Sequence, residues 1–117
     1  MDRRKLAGRS GEAEAAQYLR SKGYELLAMN YARRGGEIDL IAAKDGYVAF
    51  VEVKLRSGSG FAEAREAVTA AKQRRIRQTA LQWLAEHDSG LQPRFDVIEI
   101  YTGGGENRLN HLENAFE

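Results

Sequence analysis

The dipeptide Asp45-Gly46 constrains the fold of this chain more than any other pair of residues. Asp-Gly between two apolar runs is the strongest short signal for a two-residue hairpin loop, because both loop residues must take positive φ. The flanking runs, Glu37–Lys44 and Tyr47–Leu55, read as strands. A two-residue loop sets their register: Asp39 faces Glu52, and Glu37 faces Lys54. Opposed residues share a face of the sheet, with Cβ atoms roughly 4.5–5.5 Å apart. Two carboxylates that close, in otherwise apolar strands, repel each other. Something positive must sit between them, and a hard divalent cation is the natural candidate. A three-residue loop would instead set Asp39 opposite Val51, on a different face from Glu52.

The second strand carries Val48, Phe50, Glu52 and Lys54 on one face and Tyr47, Ala49, Val51, Val53 and Leu55 on the other. Apolar residues on both faces describe a central, covered strand. Glu52 and Lys54 therefore enter a partly buried setting, where a charge must be paired or bound to metal. Before the hairpin, Ser10–Lys22 reads as a helix, with Ser10 as a cap and Gly23 as the stop. Glu12, Ala16 and Leu19 follow helical spacing, so Glu12 lies at the upstream end of the buried stripe. Surface salt bridging is the ordinary role of such a glutamate; its core-facing position makes a site role equally tenable. Residues 1–8 form a flexible basic arm. Tyr24–Asn30 is a short strand, and Tyr31–Gly36 a loop whose Arg33 and Arg34 either meet phosphates or serve solubility.

After the hairpin, Arg56–Gly60 is a loop, either a substrate-contacting flap or a connector. A long helix then starts between Ala62 and Thr69 and ends near His87. Ile76, Ala80, Trp83 and Leu84 form its apolar stripe, and Lys72 precedes that stripe by one turn. Trp83 reads as core. Arg74, Arg75 and Arg77 point elsewhere and form a basic face. Arg94–Thr102 is a further strand, and residues 103–117 are a glycine turn and a tail or short returning strand. Neither His87 nor His111 has a catalytic reading. The order is α-β-β-β-α-β, with room for a final strand: an α/β fold with a central mixed sheet flanked by helices.

The chain has 117 residues, 43% of them hydrophobic and 30% charged, which suits one globular domain over 1–117. No apolar run is long enough to span a bilayer, and the absence of cysteine excludes thiolate chemistry and fits the cytoplasm. The net charge of +1 conceals segregation: residues 54–77 carry seven Lys/Arg against two Asp/Glu, whereas 86–117 carry two against seven. A basic face suits a polyanion, though solvated helix faces give the same count.

Asp39, Glu52 and Lys54 are the residue types that phosphodiester hydrolysis uses. Two hard carboxylates hold Mg²⁺ or Mn²⁺ and leave positions for water and phosphate. A lysine on the same face, ~6.5 Å from Glu52 along the strand, orients the attacking water or stabilises the transition state. A purely structural set of ion pairs is the competing reading.

Gly35-Gly36-Glu37-Ile38-Asp39-Leu40-Ile41, with Phe50-Val51-Glu52-Val53-Lys54 and Arg56, resembles the YraN family of bacterial endonuclease-like proteins. The resemblance extends to Gly8, Glu12, Gly23-Tyr24, Asn30, Lys72 and Arg94-Phe95-Asp96-Val97. That family is similar to the PD-(D/E)XK, or restriction-endonuclease-like, superfamily and to the archaeal Holliday-junction resolvases. The resemblance implies an αβββαβ core, metal-binding acids at Asp39 and Glu52, a catalytic lysine at Lys54, the resolvase-type helix glutamate at Glu12, and an auxiliary Lys72. The proline of the superfamily name is replaced by Ile38.

The function expected is that of a metal-dependent endonuclease acting on DNA rather than RNA, with branched or damaged DNA as candidate substrates. Arg33, Arg34, Arg56, Lys72, Arg74 and Arg75 are the candidate nucleic-acid contacts. A homodimer would widen the basic surface. A non-cleaving nucleic-acid-binding module of the same fold is the alternative, and a structural or adaptor protein with an internal ion-pair network the third reading.

Overall fold

Asp45 and Gly46 both take positive φ, +52° and +84°, so the hairpin loop is the two-residue turn that the dipeptide favours. The computed structural model describes residues 3–57 and 68–117, with side chains for 11–56 and 68–117. Strand β2 (Gly36–Lys44) pairs antiparallel with β3 (Tyr47–Ser57) in the expected register, from Lys44 opposite Tyr47 to Leu40 opposite Val51. Strand β1 (Glu25–Arg33) lies outside β2, and β4 (Gln92–Thr102) runs parallel to β3 on its other side. Strand β5 (Arg108–Phe116) closes the far edge antiparallel to β4. The result is a five-stranded mixed sheet in the order β1-β2-β3-β4-β5. It carries helix α1 (Arg3–Ser21) on one face and helix α2 (Ala70–Glu86) on the other.

Each face of the sheet has its own core. Ala15, Ala16 and Leu19 of α1 pack on Leu40, Ala42, Ala49, Val51, Ile98 and Ile100. Ile76, Ala80 and Trp83 of α2 pack on Ile41, Val48, Phe50 and Val97. The ring centroids of Trp83 and Phe50 lie 5.8 Å apart, edge to face, so Trp83 is a core residue, as its stripe position indicates. Full burial of such side chains contributes about 1.5–3 kcal/mol each.

The helix ends follow capping chemistry. The Thr69 side chain accepts the Lys72 N–H at the start of α2. At the end of α1, Gly23 (φ +94°) donates to the Arg20 carbonyl and Tyr24 donates to that of Leu19, the paired bonds of a Schellman motif.

Two elements differ from the sequence reading. Helix α1 begins at Arg3, in place of the flexible arm expected there: Ser10 lies inside the helix rather than capping it, and Arg3–Ala7 are all good helix formers that carry it past Gly8. Strand β1 continues through Arg33, which pairs with Gly36 across the turn, so most of the expected loop is ladder. Of the two forms expected for the C-terminal segment, tail or returning strand, the structure has the strand, nine residues from Arg108 to Phe116, because the exposed edge of β4 offers backbone partners to it. The flap or connector at Arg56–Gly60 is described only to Ser57, and the expected helix start at 62–67 lies outside the described residues.

Candidate active site

Pairing between β2 and β3 stops at Leu40–Val51. One residue further, the ladder is replaced by a side chain: the Asp39 carboxylate accepts the Val53 N–H at 2.8 Å. The alternation of β2 breaks at the same place. Ile38 belongs to the α2-side core and Leu40 to the α1-side core, although they are two residues apart. On β1 the matching position is Asn30, with φ +53°. Strands β2 and β3 therefore part at Asp39, and a cleft of about 190 Å³ opens there. Gly36, Glu37, Asp39, Glu52, Lys72, Arg75 and Ile76 line it.

Gly36 lets α2 approach this fork closely. A Cβ there would stand 3.1 Å from Thr79 Oγ1 and 3.5 Å from Arg75 Cβ. Gly11 plays the same part for α1, since a Cβ on it would meet Leu55 at 3.1 Å. That close seat brings Glu12, the next residue, near enough for its charge to act on Asp39.

The electrostatics are those of acids pressed together. Burial first, then the neighbouring charge of Glu52, raises the Asp39 pKa to about 7; Glu12 adds to the rise, and the Val53 N–H and Lys72 oppose it. Glu52 is 5% exposed. Its Oε1 lies 3.5 Å from Lys54 Nζ and in direct contact with Lys72 Nζ. Burial, then the adjoining Lys72 amine, lowers the Lys54 pKa. Burial also acts to lower that of Lys72, but its bonds to Glu52 and Lys54 outweigh this, so its pKa is raised. The positive charge that the acid pair needs is thus supplied within the chain by Lys72.

Of the residues singled out in the sequence, Glu12, Asp39, Glu52, Lys54 and Lys72 meet here. The arginines divide. Arg75 lines the cleft instead of pointing away with Arg74, because it follows Lys72 by three residues and so flanks it on the helix. Arg34 and Arg74 are exposed, and neither forms an ion pair among the described residues. Arg33 is engaged elsewhere. It donates to both oxygens of Glu86, at 3.0 and 2.8 Å, and lies 4.1 Å from the Tyr31 ring centroid. Arg56 donates to Glu99 at 2.9 Å. Glu99 is buried and also accepts from Tyr101 and Asn110. The sequence reading did not single out Glu99. Its signal was a charged residue in the apolar run Val97–Ile100.

Among the described residues there is no cluster of three His, Cys, Asp or Glu able to hold a metal ion. The donor set is two hard carboxylates, Asp39 and Glu52, that line a cleft. That fits Mg²⁺ or Mn²⁺, which bind through one or two carboxylates and complete their shells with water and substrate phosphate. It does not fit a closed structural site.

The architecture and the cleft define a small α/β protein with a buried acid–lysine centre at a fork in its sheet. Residues 11–100 match the model of uncharacterised protein family UPF0102. The chain is 46% identical over 113 residues to a UPF0102 protein of Rhodococcus jostii, covering 93% of this chain and 94% of the relative. It is 48% identical to one of Nocardia farcinica, covering 93% and 87%, and 43% identical to one of Pelotomaculum thermopropionicum, covering 98% of both. The chain belongs to the UPF0102 family, which is the YraN family of the resemblance above. No described helix is long and apolar enough to cross a membrane.

Proposed function

We propose that this protein is a metal-dependent endonuclease that hydrolyses phosphodiester bonds in DNA, in the cytoplasm, with a site of the PD-(D/E)XK kind. One observation carries the reading. Asp39, Glu52 and Lys72 line one cleft at the point where β2 and β3 part, with Lys54 beside Glu52 and Glu12 brought near by α1. A purely structural ion-pair network does not need an acid whose pKa is driven up to about 7. Such perturbation inside a cleft marks functional sites more often than scaffolds.

The chain's own residues have distinct tasks. Asp39 and Glu52 would hold the cation, with Asp39 oriented by the Val53 N–H. When bound, the cation supplies Lewis-acid stabilisation of phosphate charge and a more acidic water. Lys54 is fixed beside Glu52 and holds its proton less tightly than a surface lysine. It can donate a hydrogen bond to a phosphate oxygen and exchange a proton with water in the cleft. Arg75 lines the cleft and is exposed, which suits contact with the flanking phosphates. A symmetric dimer would extend that basic surface along a duplex.

The test is cleavage of linear, flapped and four-way DNA with Mg²⁺ and Mn²⁺, run beside Asp39→Ala and Glu52→Ala. Metal-dependent cleavage that both substitutions abolish is the expected result. Activity persisting in both would assign it to a contaminant. DNA binding without cleavage by the wild-type protein would favour a non-cleaving nucleic-acid-binding module.

A further inference from the structure

Glu52 Oε1 is held between two ammonium groups, Lys72 in direct contact and Lys54 at 3.5 Å. A carboxylate this deeply buried needs such a charge whenever no metal is present. The two lysines differ in how they are tethered. Lys54 sits two residues from Glu52 on the same rigid strand, paired along its length with β4. Lys72 comes from the first turn of α2, and its side chain is 37% exposed against 6% for Glu52. Its flexible stem can lie along the cleft wall while the head moves toward water. Its charge also acts on Asp39, across the cleft. One ammonium thus contacts Glu52 and acts on Asp39 through space.

We propose that Lys72 is a built-in counter-ion that competes with the divalent cation for Glu52, leaving the carboxylate when the cation arrives and presenting its ammonium to the cleft. The inference rests on the reading of Asp39 and Glu52 as the cation's ligands. Its consequence is that Glu52 keeps a counter-charge without metal, and that each metal ion taken up frees one positive charge for the substrate phosphate. Apparent metal affinity is then weaker than the two acids alone would give, by the cost of displacing the lysine.

The experiment is titration of Mn²⁺ and Mg²⁺ by calorimetry into wild type, Lys72→Met, Lys72→Gln and Arg75→Met, without DNA. Arg75→Met removes a charge that lines the same cleft but does not touch Glu52, so it reports the through-space effect alone. Both Lys72 variants are expected to bind Mn²⁺ about tenfold more tightly than wild type, a difference of about 1.4 kcal/mol, with Arg75→Met changing affinity much less. In wild type, side-chain ¹⁵N spectra of lysine are expected to show the Lys72 Nζ signal moving on Mg²⁺ saturation. Lys72 variants that bind no more tightly than Arg75→Met, or an unmoved Lys72 signal in a metal-saturated sample, would overturn the inference and leave the metal site standing. Absence of binding in every variant would overturn both.

Discussion

Asp39 is the residue whose charge state the fold controls most directly. Its pKa, about 7 in the folded chain, stands above the ordinary 3.8. An acid with a raised folded pKa binds more protons folded than unfolded, so metal-free stability falls as pH rises from about 4 to about 7. The ceiling on that loss is about 4 kcal/mol. Asp39→Asn keeps an acceptor for the Val53 N–H and removes the charge. In chelator, urea denaturation at pH 8 should find this variant more stable than wild type, and at pH 5 the gap should narrow. A variant less stable than wild type at pH 8 would mean the acids are not in conflict. With Mg²⁺ or Mn²⁺ added, the melting temperature should rise for wild type and stay put for the variant.

At the scale of elements, the hairpin was legible because its turn chemistry is local. Asp45-Gly46 dictates loop length, loop length dictates register, and register sets Asp39 near Glu52. Gly46→Ala forces a Cβ onto φ +84° and should cost about 1–2 kcal/mol, read by urea denaturation, with faster amide exchange at the turn end of β2 and β3. A neutral result would show that the turn does not hold the register. The helical stripe of α2 and its lysine were legible for the same local reason. The break of alternation at Asp39 was not. It coincides with a positive φ at Asn30, opposite it in the neighbouring strand, and strict period-two counting does not foresee either. Nor could Arg56 be matched to Glu99, or Arg33 to Glu86, from the sequence. Those pairs join residues more than forty positions apart, and only the pairing of β3 with β4 and the seat of α2 beside β1 bring them together.

Across the whole molecule, basic side chains fall into two sets that composition does not separate. Arg33, Arg56 and Arg94 are consumed by Glu86, Glu99 and Asp96. Asp96 shows how complete this is. It is fully buried and accepts from Arg94, at 2.9 and 2.8 Å, and from the Asn114 N–H at 3.0 Å, with His111 Nε2 at 2.8 Å. This network ties β4 to β5 and, through Tyr24 and Tyr18, to α1. Arg74 and Arg75 form no ion pair among the described residues; both are exposed on α2, where Arg75 lines the cleft and Arg74 is its neighbour in sequence. If DNA is drawn to the cleft, these are the charges that release its counterions. Removing one arginine–phosphate interaction should lower the slope of log K against log salt by about 0.9. Arg74→Glu with Arg75→Glu should therefore weaken binding and reduce that slope by about two, measured by fluorescence anisotropy over a salt series. Arg33→Ala should leave the slope unchanged while loosening the packing of β1 against the end of α2. The reverse pattern, a slope set by Arg33 and indifferent to Arg74 and Arg75, would move the nucleic acid to the β1–β2 turn and away from Asp39 and Glu52.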